Sequence, residues 1–470
     1  MRRTALLALA AAVLGACSDR LTAPDAAAPA AGPLPASAAA RAPAVAPIPY
    51  VLSEPRVIGT VTGGWSFFRY PNRPAAELGG AAAVWQYRDD PFYGPMHVMR
   101  APLSTGAATQ LAQLDYAAYP TASERYTAWQ SGDGTVTVMD NASGGARQIT
   151  APRTAPTTLR LVGDQLALLR SAGGGRKELV VYDLTAGTQR VVDGVGSDGA
   201  GVIGAAGFAF DGRYAAFAVT NNLTGIMVVD TRTGAQRLAV PYRSGALSAP
   251  WIDGGRLVYS LVDGGKTYMV VQDLGTGATR TVSTVSSPAP LTYPDTRLRQ
   301  TDPRISGSLV VWTDTRRDSV ESNQGYPLHT DVYLYDLATG VEMPVSTAPG
   351  WSGDARVSGN HLLWTQSRQG ARDLTWELVT ADLTPVSIPM LLAELRRMAA
   401  SGAIGNPGTA RSLEVFLSQA AAAQGAGNRA RAVERLRQFA AEVHRLAGKQ
   451  VETSAARRLE GIATGVVARL

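Results

Sequence analysis

Cysteine is nearly missing: the 470 residues contain one, and only four histidines. A single Cys excludes a disulfide framework and any thiolate-rich metal site, and four His leave little material for His-based catalysis. Charged residues make up only 17% of the chain, below the usual quarter, and the net charge of +6 is small for this length, so no nucleic-acid partner is expected. No apolar run reaches the 18 residues that a membrane-spanning helix needs. Also lacking are a Gly-x-Ser-x-Gly elbow, a His-Glu-x-x-His pair, a phosphate loop and a dinucleotide fingerprint. What the chain has in excess is glycine, 49 residues, beside 28 prolines and 45% hydrophobic residues. That balance suits many short strands joined by tight turns.

The N-terminus sets the expected compartment. Arg2 and Arg3 precede an apolar run of 12 residues, Ala5 to Ala16, which ends Leu14-Gly15-Ala16-Cys17. A basic start and a short apolar stretch describe a secretory signal over 1–16. The last four residues resemble the bacterial lipobox, and the sole Cys of the chain occupies its Cys position. The resemblance implies cleavage before Cys17, lipidation there, and a cell-envelope location, with Ser18 favouring the outer membrane. Residues 18–49 hold 13 Ala and 7 Pro. Prolines at that frequency break helices, so 17–49 is expected to be an extended tether behind the lipidated Cys.

A repeat follows. Short apolar strands ending in a bulky residue recur at Trp85, Trp129, Leu169, Phe217, Tyr259, Trp312 and Trp364, at intervals of 44, 40, 48, 42, 53 and 52 residues. After most of them another strand closes on Asp-x-x-(Thr/Ser/Ala)-Gly, from Asp140, Asp183, Asp230, Asp273 and Asp336. Asp caps its own backbone two residues on and Gly supplies positive φ, so these are turn residues first. Units of 40–53 residues with about four strands match propeller blades. The expected fold is mainly β, a seven-bladed β-propeller over 50–387, with six blades and an irregular cap as the alternative. Pro55-Arg56-Val57-Ile58-Gly59 echoes Pro303-Arg304-Ile305-Ser306-Gly307 and blurs where the first blade begins. Ring closure predicts that an N-terminal strand completes the last blade.

Residues 303–347 and 354–383 resemble the TolB-like propeller repeat of bacterial and archaeal envelope proteins. The resemblance implies a fold and an envelope setting; it covers binding scaffolds and a few enzymes alike. Past Pro389 the apolar period changes from two to 3.6, with Leu436, Phe439, Val443 and Leu446 on one helical face, so 388–470 is expected to be a bundle of three or four helices. Gly427-Asn428, Phe439, Val443 and Leu446-Ala447-Gly448-Lys449 resemble the FIMAH domain of secreted bacterial proteins. This segment carries 12 Lys and Arg against 6 Asp and Glu.

Candidate site residues come from loop lengths. In a four-stranded blade the second-to-third loops and the crossings to the next blade share one face. Blade six offers Asp314, Arg316, Arg317, Asp318 and His329 there, and blade one Arg88, Asp89, Asp90 and Tyr93. Blade seven offers Arg368 and Arg372, and the crossing into blade six Arg297 and Arg299. Blades six, seven and one adjoin in a closed ring, so these loops gather over one sector. Arg, Asp and aromatic residues on loops over a rigid scaffold suit a polar ligand, an envelope protein or a polysaccharide. The competing reading of Asp314, Arg316 and Asp331 is a set of ion pairs fixing the loop base. His97 and His329 fall on one face, His361 on the opposite one and His444 in the helices, so no metal or cofactor is expected. A binding scaffold is the first functional expectation, and a polysaccharide lyase or glycoside hydrolase using the same loops the second.

Overall fold

In the computed structural model the described residues are 45–62, 75–88, 94–115, 117–150, 159–173, 176–195, 201–202, 208–221, 223–243, 247–286, 300–316, 330–346, 350–367 and 375–470. They form seven antiparallel blades and four helices. Blade one is built from Ala75–Gly79, Ala82–Arg88, Met96–Pro102 and Thr109–Leu114, paired in that order. Blades two to six repeat this meander at 117–150, 159–195, 201–243, 251–286 and 300–346. The first strands of neighbouring blades touch all the way round, that of blade seven against that of blade one included. The ring is closed and has seven blades.

Its seal is made by the chain's beginning. Trp351–Ser358, His361–Ser367 and Thr375–Pro385 are three strands of blade seven, and Tyr50–Leu52 with Arg56–Thr62 supply the fourth. The echo of blade six at 55–59 is therefore an outer strand and not the start of blade one. This arrangement hides the edge of the last strand, as the need to bury sheet edges requires.

The repeat residues do what their types dictate. Trp85, Trp312 and Phe217 are buried, and Trp85 packs with Leu363 and Leu378 of blade seven. In blade three the strand register puts Leu168, not Leu169, in the position of Trp85: Arg160 faces Ala167 as Glu77 faces Val84. Each Asp-x-x-x-Gly run is a hairpin between third and fourth strands. Asp140 Oδ1 accepts from the amides of Ala142 and Ser143, both at 3.0 Å, and Gly144 has φ of 70°. Blade seven ends Asp382-Leu383-Thr384-Pro385 without a Gly because the chain runs on into a helix instead of turning back.

That helix, α1 (Ile388–Ala400), starts a bundle with α2 (Pro407–Gly425), α3 (Arg429–Leu446) and α4 (Thr453–Arg469). Asn428 caps α3 by accepting from the Arg431 amide at 3.0 Å. Leu436, Phe439, Val443, Leu459, Ile462 and Val466 are buried in one core, as the 3.6 period predicts. Gly461 and Gly465 of α4 leave room for residues 46–49 to cross the helix. Ile48 N–H donates to Gly461 O at 2.8 Å, and a Cβ on Gly465 would stand 1.9 Å from Ile48 O. Gly465→Ala is expected to cost about 1–3 kcal/mol by overpacking and to speed amide exchange at Ile48. Gly425→Ala, with open space around it, is the matched control. Equal melting temperatures for the two variants would contradict the close crossing.

Glu394 ties α1 to α4. Its carboxylate accepts from Arg397 at 2.8 Å and from Arg458 Nε at 2.5 Å. Hydrogen bonds from Arg397 lower its pKa from 4.5 to about 2, with burial opposing and Arg458 adding to the effect. A depressed folded-state pKa stabilises above the unfolded value and loses that contribution as pH falls toward the folded one. Helix melting followed between about pH 5 and 2 should therefore show a steeper loss in the parent than in Glu394→Gln. Parallel pH profiles would contradict it.

Candidate functional site

On the face where second-to-third loops leave the sheets, blade six has a built base. Asp314 ends the second strand (Leu309–Asp314) and is fully buried. It accepts from Gln300 Nε2 at 3.1 Å, Trp312 Nε1 at 2.9 Å, the Arg316 amide at 2.8 Å and Arg316 Nη2 at 2.6 Å. Arg316 also donates to Glu342 Oε1 at 2.5 Å and to Ser283 Oγ of blade five at 3.0 Å, and it lies 4.1 Å over the Tyr333 ring. Burial opposes its charge, but the bonds to Asp314 and Glu342 outweigh burial and raise its pKa. Asp314 and Arg316 thus fix the start of the segment that carries Arg317, Asp318 and His329, and join blades five and six.

Arg88 closes the second strand of blade one and is half-buried. Cys17, Asp89, Asp90, Tyr93, Arg297, Arg299, Arg317, Asp318, His329, Arg368 and Arg372 lie outside the described residues. The strand ends that bound 89–95, 287–299, 315–330 and 368–374 all belong to the same face by the up-and-down order of the blades. His97 sits inside the third strand of blade one, buried, 2.9 Å from Gln110 Oε1 and stacked on Tyr87. His361 lies 2.7 Å from Asp382, and His444 3.3 Å from Glu460. Among the described residues no three His, Cys, Asp or Glu side chains stand close enough to share a metal ion.

A second constellation was not anticipated from the loops. Each first strand contributes one residue at the same register: Glu77, Thr121, Arg160, Ala209, Trp251, Arg304 and Arg356. In six of the seven blades a left-handed Gly follows three residues later (Gly80, Gly163, Gly212, Gly254, Gly307 and Gly359). The charged members come from blades one, three, six and seven, so they can meet only along the ring's axis, and they do. Arg356 Nε is 3.4 Å from Glu77 Oε2, and Arg160 Nη1 is 3.8 Å from Glu77 Oε1. Arg160 and Arg304 both lie over the Trp251 ring, at 4.9 and 4.1 Å.

Local backbone aims two of these arginines. Asp302 and Asp354, each two residues before a channel Arg, have φ of 52°, and both strands slip register there. Such bulges bend a strand and redirect the side chains that follow. Arg160 and Arg304 are 7% and 8% exposed. Burial, and then the neighbouring Arg356, push Arg304 down to about 9, and burial lowers Arg160 too. Burial alone would raise the Glu77 carboxyl, but Arg356, Arg160 and Arg304 together outweigh it and keep its pKa low.

The helical segment can be placed by family. Residues 388–468 match the FIMAH domain. The FIMAH domain is fastened to the propeller through its last helix. Arg469 donates to Pro49 O at 3.0 Å and to the buried Asp336 at 3.2 Å, and covers the Tyr50 ring at 4.2 Å. No curated protein matches the chain. Among solved structures the chain is similar to the propeller domain of the trilobed protease of Pyrococcus furiosus, with 13% identity and a TM-score of 0.46, over 68% of this chain and 96% of that one. It is also similar to oligogalacturonate lyase of Vibrio parahaemolyticus, with 11% identity and a TM-score of 0.45, over 70% and 98%. A putative TolB of Agrobacterium tumefaciens shares 13% identity with a TM-score of 0.36, over 60% and 96%. These likenesses concern the propeller fold alone.

Proposed function

We propose that the chain is an envelope lipoprotein, held in the membrane through Cys17, whose propeller is a non-enzymatic binding scaffold for an envelope protein or cell-surface polymer. The observation that carries the scaffold reading is the base of the blade-six loop. A fully buried carboxylate with four donors, cross-linked by Arg316 to two strands, fixes the start of the loop and spends both side chains on structure. A rigid base under charged loops lowers the entropic cost of binding a polar partner. Arg317, Arg368 and Arg297 are then the residues left to meet it. The anchor rests on the sole Cys at the lipobox-like position and on the Ala/Pro-rich stretch behind it. One carbon chain binds membranes marginally, and several on one residue hold firmly.

The test starts from the full chain and its Cys17→Ala variant, fractionated into membrane and soluble material. Anchoring predicts that only the variant leaves the membrane. Purified protein is then incubated with a detergent-solubilised envelope extract, and retained proteins and glycans are identified by mass spectrometry. The expected result is one retained species, chemically unchanged and lost in the Arg317→Ala, Arg368→Ala double variant. A polysaccharide shortened during incubation would replace the scaffold with a carbohydrate-active enzyme. Retention of nothing beyond a control protein would reject both readings.

A further inference from the structure

We propose that the axial channel of the propeller is a binding site for a small oxyanion, one bearing a phosphate, sulfate or carboxylate group, held by Arg160, Arg304 and Arg356. The case is electrostatic and geometric. Of the three guanidinium groups, from blades three, six and seven, Arg160 and Arg356 contact the Glu77 carboxylate, and Arg304 interacts with it at longer range. Asp302, two residues up the same strand, adds a second negative charge that acts on Arg304. The other bonds of the three arginines end on backbone carbonyls. Arg160 donates to Phe208 O and Leu159 O, Arg304 to Pro303 O, and Arg356 to Asp354 O and Ala355 O. Carbonyls satisfy N–H groups but leave the net positive charge in place. Arg304 Nε is buried and makes no hydrogen bond, and Arg356 Nε has only the long 3.4 Å ion pair with Glu77.

Arginine does not escape burial by losing its proton, so an uncompensated cluster is expensive to keep. A buried donor without an acceptor in a native protein calls for an explanation, an ion among them. An oxyanion answers both demands at once. It accepts the free Nε–H of Arg304 and offsets the surplus charge, through the charge-assisted bonds in which Arg is strongest. Trp251 supports the arrangement by lying under two of the three guanidinium planes, and the bulges at Asp302 and Asp354 turn Arg304 and Arg356 toward the same axis. Small ions suit the place, because the first strands of the seven blades are in mutual contact around it.

The full chain in detergent is titrated with inorganic phosphate, sulfate and acetate, each against sodium chloride at equal ionic strength, with melting temperature and calorimetric binding as readouts. Phosphate and sulfate are expected to raise the melting temperature in a concentration-dependent way beyond chloride. Arg304→Met should weaken phosphate binding about 10- to 100-fold. It should also raise the melting temperature without phosphate, since it removes a like charge from beside Arg356. Glu77→Gln works in the opposite direction, tightening phosphate binding and lowering the anion-free melting temperature. Arg396→Met, on an exposed arginine of α1, should change neither. The proposal is overturned if phosphate matches chloride in the parent protein, or if its effect survives in Arg304→Met. Acetate equalling phosphate would identify a carboxylate-bearing ligand as sufficient. None of these results depends on the loops of the scaffold reading, which are probed separately through Arg317 and Arg368.

Discussion

Asp336→Ala is expected to destabilise the protein by about 3–5 kcal/mol, far more than the same change at Asp140, which stands at the same place in its blade. Both are turn residues of an Asp-x-x-x-Gly hairpin. Asp140 is partly exposed and its Oδ1 caps only the turn, at Ala142 and Ser143. Asp336 is fully buried and accepts from Ser308 Oγ at 2.9 Å, the Ala338 amide at 3.0 Å, Thr339 Oγ1 at 3.1 Å, Arg469 Nη2 at 3.2 Å and Tyr50 OH at 3.3 Å. One carboxylate therefore joins blade six, the sealing strand and the FIMAH domain. Its loss strands the Arg469 charge at a covered interface, whereas loss of Asp140 costs about 1 kcal/mol, the worth of an exposed cap. Chemical denaturation of the two variants side by side checks this, and equal losses would show that the carboxylate carries no interdomain contact.

Asp314→Ala is the second large effect, again about 3–5 kcal/mol, because Arg316 and Trp312 Nε1 lose a shared buried acceptor. Glu342→Ala removes the other, half-exposed partner of Arg316 and is expected to cost about 1 kcal/mol or less. If the loop base supports partner binding, Asp314→Ala should weaken that binding at temperatures where the protein is still folded. The comparison is made well below the melting temperature, so that lost folding and lost binding are separated. Unchanged affinity with lowered stability would restrict Asp314 to holding blade five against blade six.

The propeller was legible because its signals are local. A bulky residue closing a buried strand, and an Asp and a Gly at fixed offsets in a hairpin, recur within each unit of 40–53 residues. The sealing strand could be anticipated because an open ring leaves an edge. The channel was not legible, since its signal is one residue per blade: Arg160, Arg304 and Arg356 each look like an ordinary strand residue until the ring brings them together. The three-residue offset to Gly163, Gly307 and Gly359 was present in the sequence and would have marked them. Gly461 and Gly465 were likewise silent, as the chain that fills their notch, residues 46–49, lies more than 400 positions away. Asp314 and Arg316 were visible as charges on a loop, but burial decides which charges are free, and burial is a property of the fold.

The seal has a consequence for the order in which the molecule is made. Tyr50 pairs with Pro385, and Pro49 is held by Arg469, 420 residues later. The opening stretch of the domain emerges first from the ribosome yet has no partner until the closing stretch arrives. Blades one to six can assemble as each is synthesised, from contacts within and between adjacent units. Closing the ring is then the last step, because it alone needs residues from both ends of the propeller sequence. Until that moment the strand Thr375–Pro385 presents an open edge, and the new chain is most exposed to mispairing before its opening strands seat there.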